Sequence, residues 1–458
     1  MAAVAPGVDV RTRADLTPTG TSGDTGRLFA AGVTVRGPLE PTVVRGVSDF
    51  EGRFGGRTNY ATLADPLRAF FSNGGAEAII ARVVGPAAEA ASATVVDEIT
   101  YTAVEPGESG NDLSVVVEDE GATLRVLDDG DEVERFGGLG SIADAVAALQ
   151  ASRYIRGEDE STDGTGMLSE GTEELSGGDD DRANLTSTEW SEALDRFGAE
   201  WGPGQVAAPG YSEVDADLVT HAEERNRIAL LAPDEGASVG DLDTLGEQTS
   251  DRAALVGYWV RMRLGGRLRS VPGTMPVAGR IARRDAGVDT AHLAAAGDPN
   301  GALDGVVELI QADVDDDDRD RLTGDGVNLA VERPGGRVLH YGWRTAAGQD
   351  SPFRDLAVAR YRMALEARVA QVAERFLFKG LTASMIARFG SQIRGILLDD
   401  FNAGALFGES PDEAFAVDVD DVNTADTIAA QELRAAVAVT PTPTAERVLI
   451  DIVRRNVE

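Results

Sequence analysis

In segment 49–86, DFEGRFGGRTNYATLADPLRAFFSNGGAEAIIARVVGP, the spacing of apolar residues changes from helical to strand-like partway along. Leu63, Leu67, Phe70 and Phe71 recur at helical spacing, Asn73 and Gly74 can take the left-handed conformation that stops a helix, and Ile79, Ile80, Val83 and Val84 suit a buried strand. The pattern predicts a helix ending at Asn73-Gly74-Gly75, then a strand over 78–84. Before it, LFAAGVTVR within 27–36 reads as a short apolar strand that turns at Gly37-Pro38. Strand, turn, helix and strand in that order begin an α/β unit.

The pattern downstream divides into three stretches. In 105–118, EPGESGNDLSVVVE places a Gly/Asn turn before an alternating valine strand, and a second strand over 122–127 and a short helix over 142–149 follow, which suggests a β-rich insert. Segment 157–181, GEDESTDGTGMLSEGTEELSGGDDD, has no basic residue and reads as a surface loop or disordered excursion. Beyond it, helical patterns at 188–197 and 216–226 alternate with strand patterns at 205–211 and 227–233, as expected of a parallel sheet covered by helices. A strand over 255–264 and a helix over 275–283 follow. The last third predicts a strand near 338–341 and a long helix over 355–379 stopped by Gly380. A second helix capped by Thr382 runs toward Asp399, with strands at 417–421 and 432–439. After the stiff Pro441-Thr442-Pro443 break comes the strongly β-prone run VLIDIV, 448–453.

At 458 residues and 42% apolar content the chain can fill two to four compact units. It shows no signal-peptide pattern and no apolar run near the roughly 18 residues a membrane span needs, so folding in the cytoplasm is expected. With no cysteine and only His221, His292 and His340, thiol chemistry is excluded and a histidine-based metal site is not expected. There are 78 acidic against 42 basic residues, a net charge of −36, and Lys379 is the single lysine. Such a chain repels free nucleic acid, which is bound by clusters of Lys and Arg. The acidity suits either a generally solvated surface or a salt-rich, haloarchaeal-type cytoplasm, while lysine avoidance also follows from high-GC, actinobacterial-type coding. The acidic run 313–320 reads as a solvated turn or a calcium loop, although it lacks the spacing and glycine of an EF hand.

Several short wordings recur in one order. Arg36-Gly37-Pro38 and segment 49–86 come first, then Gly110-Asn111-Asp112, Val271-Pro272, Ala278-Gly279 and Ile281-Ala282-Arg283. Gly326-Val327-Asn328 leads to Gly342-Trp343-Arg344-Thr345, followed by Arg360 and Arg362, the 404–408 run GALFG, Phe415-Ala416-Val417 and Asn423-Thr424. In this order the chain resembles contractile tail sheath proteins over 21–89 and 185–458. It departs from their pattern where Tyr361 splits the paired arginines and where FLFKG, 376–380, lacks the usual acidic and proline residues.

The resemblance implies a multidomain, mixed α/β (α+β) fold. Its parts would be an extended arm over 1–22, a core from 23–89 and 330–440, a β-rich insert with an acidic loop over 90–184, a middle domain of subtilisin-like shape over 185–329, and an arm strand over 441–458. It implies a subunit that polymerises as stacked hexameric rings around an inner tube and contracts to drive the tube through a target envelope, in a virus tail or a cell-encoded injection system. The implied partners are neighbouring copies, the inner tube protein, and baseplate and terminator or cap proteins, with no nucleic acid, no membrane insertion and no cofactor.

The subtilisin likeness raises the question of catalysis. Gly273-Thr274-Met275 echoes a nucleophile motif, but the serine is missing, and Ser270 with His221 or His292 has no supporting signature of an activated triad. No phosphate-binding or dinucleotide loop is present. Assembly is the remaining chemistry. Val8 and Val10 near the start, and Val448, Leu449, Ile450, Ile452 and Val453 near the end, are shaped to add strands to another molecule's sheet, or, for the latter run, to edge their own domain. The resemblance implies that such arms exchange between neighbours. Between Glu374 and Arg394 the chain turns basic, with Arg375, Lys379, Arg388 and Arg394. These cations serve helix capping and local salt bridges, or, as the resemblance implies, face an acidic inner tube. A competing reading is another self-assembling shell or surface-layer protein.

Overall fold

Short runs of aliphatic residues buried at every position make the central strands. In the computed structural model, which describes residues 25–446 apart from 163 and 289, IALL at Ile228–Leu231 and AALV at Ala253–Val256 have no exposed position. Strands buried on both faces suit parallel pairing. The order is Gln205–Ala207, Ile228–Leu231, Ala253–Val256 and Val327–Asn328, each pair parallel. The described residues also form twelve α-helices, so the fold is mixed α/β.

The described residues divide into two compact units, one of 25–29, 68–76 and 198–446, the other of 30–67 and 77–197. The strand Leu28–Gly32 carries the chain from the first into the second. The first unit holds the parallel strands and a three-stranded antiparallel sheet of Arg267–Pro272, Trp259–Leu264 and Val306–Ile310. The expected strand over 255–264 is thus two strands, Ala253–Val256 and Trp259–Leu264, in different sheets. The break falls at Gly257, where a side chain would collide with Val327. The helix Thr274–Asp285 follows, buried at ten of its positions.

Further along the same unit lie the long helices Leu356–Glu374 and Ala383–Asn402. Tyr361, Leu365, Val369 and Val372 of the first pack with Phe389, Ile393 and Leu397 of the second, over a ribbon of Phe415–Asp418 and Ala436–Val439. The second strand of that ribbon was expected to span 432–439. It starts only at Ala436 because Asn423 holds the preceding residues, donating to the Arg434 carbonyl at 2.7 Å and accepting from the Arg434 amide at 2.9 Å.

The second unit pairs Thr42–Val44 with Ala78–Arg82 and builds two further antiparallel sheets. One holds Ser92–Val95, Ile99–Ala103 and Ile155–Asp159, the other Gly171–Glu174, Leu113–Glu118, Thr123–Asp128 and Asp131–Gly137. The acidic segment 157–181 is therefore tied into two sheets at its start, 157–159, and at Gly171–Glu174, rather than forming an excursion. Its Leu168 and Leu175 are buried, and Asp180 accepts from Arg82, whose guanidinium also donates to the carbonyls of Gly37 (2.9 Å) and Pro106 (2.8 Å). A fully buried arginine requires acceptors of this kind for its terminal nitrogens.

Candidate assembly surfaces

The helix Leu356–Glu374 ends six residues before Gly380, the expected stop. Beyond Arg375 the chain turns so that Phe376 is buried, its ring centroid 5.1 Å from that of Phe389. Burial of one aromatic forces out the next. Phe378 is 88% exposed and takes a left-handed φ of 59°, a conformation costly for a bulky side chain. The Lys379 ammonium lies 5.2 Å from the Phe376 ring centroid, and Thr382 then caps Ala383–Asn402 by accepting from the Met385 amide at 3.3 Å.

Arg375, Lys379 and Arg388 are exposed at this helix-to-helix tip, Arg388 standing beside the Phe389 that contacts Phe376. Arg394 is differently placed. Its guanidinium donates to the Val417 carbonyl at 2.7 Å, tying its helix to the ribbon. The tip thus presents three exposed cations and one exposed aromatic ring, that of Phe378. Phe378 escapes a reading by apolar period, and its signal is an aromatic residue between cations just ahead of a helix cap.

A second construction holds the chain near its last described residues. Asp355 caps Leu356–Glu374 by accepting from the Ala357 amide at 2.8 Å, and also accepts from the Thr444 amide at 2.8 Å. Arg344 reaches Glu446 with two nitrogens, the Nε contact at 2.9 Å, and donates to the Thr323 carbonyl at 2.8 Å. Arg344 is itself fixed through its amide, which donates to Asn328 Oδ1 at 2.8 Å, while Asn328 Nδ2 donates to the carbonyls of Leu255 (2.9 Å) and Arg344 (2.8 Å). The GALFG run completes the hold, with Phe407 N donating to Thr440 O at 2.8 Å and Thr442 N to Ala405 O at 2.9 Å. The conspicuous 326–328 and 342–345 wordings are thus parts of one clamp on 440–446. Val8, Val10, Val448, Leu449, Ile450, Ile452 and Val453 lie outside the described residues.

Arg360 and Arg362 are used internally. Arg360 pairs with Asp285, and Arg362 meets Asp251 at 2.9 and 2.6 Å. The intervening Tyr361 donates to Asp400 at 2.9 Å. The histidines are also engaged. His221 Nε2 lies 2.6 Å from an Arg227 nitrogen, His292 Nδ1 2.5 Å from the Thr290 hydroxyl, and His340 Nδ1 2.9 Å from the Tyr258 hydroxyl. Burial, with the Arg227 charge adding to it, pushes His221 down to about 3. Ser270 sits in the Arg267–Pro272 strand opposite Arg261. Among the described residues no three His, Asp or Glu groups are placed to hold a metal ion, and no helix is long and apolar enough to cross a membrane. The run 313–320 enters a helix, Asp316–Gly324, capped by Asp315.

No protein-family model and no curated protein sequence matches the chain. Solved structures do. The sheath tail protein of Listeria innocua aligns with a TM-score of 0.65 at 15% identity, over 87% of this chain and 90% of its own. The sheath tail protein of Desulfitobacterium hafniense aligns with a TM-score of 0.59 at 15% identity, over 96% and 100%. The sheath of an extracellular contractile injection system, the PVC complex in its contracted state, aligns with a TM-score of 0.63 at 13% identity, over 99% of both chains. Nearly end to end, this protein has the fold of contractile sheath proteins.

Proposed function

We propose that this chain is the structural subunit of a contractile sheath. The observation that carries the reading is the full-length correspondence with an injection-system sheath, which leaves no large part of either chain unmatched. Copies polymerise as stacked six-membered rings around an inner tube. Contraction draws on burial and strand pairing gained between copies as they repack, and the chain's role is mechanical rather than catalytic. Baseplate and terminator proteins bound the array.

Two local features support this reading. The clamp holds 440–446 against its own unit, and the Phe415–Asp418 and Ala436–Val439 ribbon has two strands among the described residues. A two-stranded ribbon is marginal by itself and gains from added strands. The exposed tip of Arg375, Phe378, Lys379 and Arg388 is the surface that meets the inner tube.

Electron microscopy of the purified chain tests the proposal. Striated hollow tubes are expected, and single copies persisting at all protein and salt concentrations would rule it out.

A further inference from the structure

The interval between Asp251 and Asp285 contains Arg252, Arg261, Arg263, Arg267, Arg269, Arg280, Arg283 and Arg284 and no acidic residue, in a chain of net charge −36. Two of these arginines serve the interior. Arg252 pairs with Glu366 at 2.5 Å, and Arg280 donates to the Asn300 carbonyl at 3.0 Å. The others include four that lie on one hairpin.

That hairpin is Trp259–Leu264 and Arg267–Pro272, with Leu264 opposite Arg267. A two-residue connection of this kind requires positive φ at both positions, and Gly265 and Gly266 supply 55° and 77°. The Arg68 guanidinium packs against Gly265, so a further cation stands at the turn. Alternation sends Val260, Met262 and Leu264 into the core and leaves Arg261 and Arg263 on the outer face. Opposite Arg263 on that face is Leu268, 46% exposed, and Arg261 is bridged to Glu308 at 2.6 Å on the third strand. Val307, next to Glu308, is 55% exposed.

We infer that this outer face, centred on Arg263 and Leu268 with Arg261 beside them, docks on the acidic surface of a second copy of this chain. The inference rests on the sheath reading and adds one contact surface to it. Charge complementarity selects the occupant. A face joining arginines to exposed apolar side chains fits a desolvated acidic protein surface, and a packed array supplies that surface from its neighbours. Nucleic acid would have to approach through the repulsion of the whole chain.

The test compares three forms of the full chain by sedimentation velocity and electron microscopy: wild type, R263E and R263K. Circular dichroism melting confirms folding. Wild type and the lysine form are expected to assemble alike, and the glutamate form to need on the order of tenfold higher concentration or more. Should the glutamate form fail to fold, R263Q replaces it, with a smaller increase expected. Equal assembly by wild type and the glutamate or glutamine form overturns this inference alone, whereas wild type that never assembles removes the sheath reading and this contact with it. Arginine-dependent binding of a labelled DNA duplex, with assembly unchanged, would overturn the inference in favour of nucleic acid.

Discussion

Arg360 and Asp285 form an ion pair in which neither side chain is exposed to solvent. Thr25 adds a 2.7 Å hydrogen bond to the same carboxylate oxygen. Removing one partner of such a pair strands a buried charge, which costs about 3–5 kcal/mol, whereas replacing both with apolar groups of similar size is close to neutral. D285A is therefore expected to lower stability by about that amount, and R360M/D285L to recover most of it. Urea unfolding of the three proteins measures this, and a double variant no better than D285A would contradict the account.

The Phe378 backbone gives a second prediction. A bulky residue at φ 59° carries strain, and with 88% of its surface exposed the side chain contributes little to the core. F378G should stabilise the chain by about 1 kcal/mol. If the tip meets the inner tube, the same change should weaken co-sedimentation with the tube protein, as should R375E/K379E. A variant both more stable and fully able to bind the tube would remove Phe378 from the interface.

The clamp near the end of the described chain can be cut at a single residue. D355A removes a helix cap and the anchor of Thr444 together, with an expected cost of about 1–2 kcal/mol. E446A breaks only the bidentate contact with the exposed side of Arg344, so it should leave the melting temperature nearly unchanged while slowing polymerisation, followed by light scattering. Equal assembly rates for E446A and wild type would show that the clamp does not guide the arm.

Stability should also depend on pH through His340. Complete burial pushes its imidazole from the ordinary 6.5 down to about 3. Because the folded value lies below the unfolded one, the associated stability is fully present above about 6.5 and is lost as pH falls from there toward 3. The urea midpoint should therefore drop between pH 7 and pH 4.5. H340Q, costing about 1–3 kcal/mol at pH 7 through the lost Tyr258 contact, should show a shallower drop. Identical slopes would assign the pH dependence elsewhere.

What could be read from the sequence is what local chemistry decides. Ala78–Arg82 follows from its aliphatic run, Ile142–Leu149 from its period and the Ser141 cap, and the start of Ala383–Asn402 from Thr382. Tertiary contacts decide the rest. Gly171–Glu174 is only GTEE and has no apolar period. It is a strand because Leu113–Glu118 offers an edge and Leu175 anchors its end in the core. At the helix stop, Asn73 does not turn left-handed. Gly74 does, at φ 114°, while the Asn73 amide group takes a 2.8 Å bond from the Asp304 backbone, a partner far away in sequence.

The candidate surfaces show the same division. The reversal of charge near Lys379 is visible in the sequence, as is the acid-free interval from Arg252 to Arg284. That Arg394 is held by Val417, and that Arg252 and Arg280 are spent inside, depends on the fold. An arginine count finds a region, and burial then selects which members face outward.

The position of the single lysine has a practical outcome. Lys379 is exposed at the helix-to-helix tip, so an amine-reactive reagent has one lysine side chain on each copy to modify. Protection of that lysine from acylation becomes a direct gauge of whether the tip is covered, and a lysine-directed cross-linker maps its partner from one known anchor.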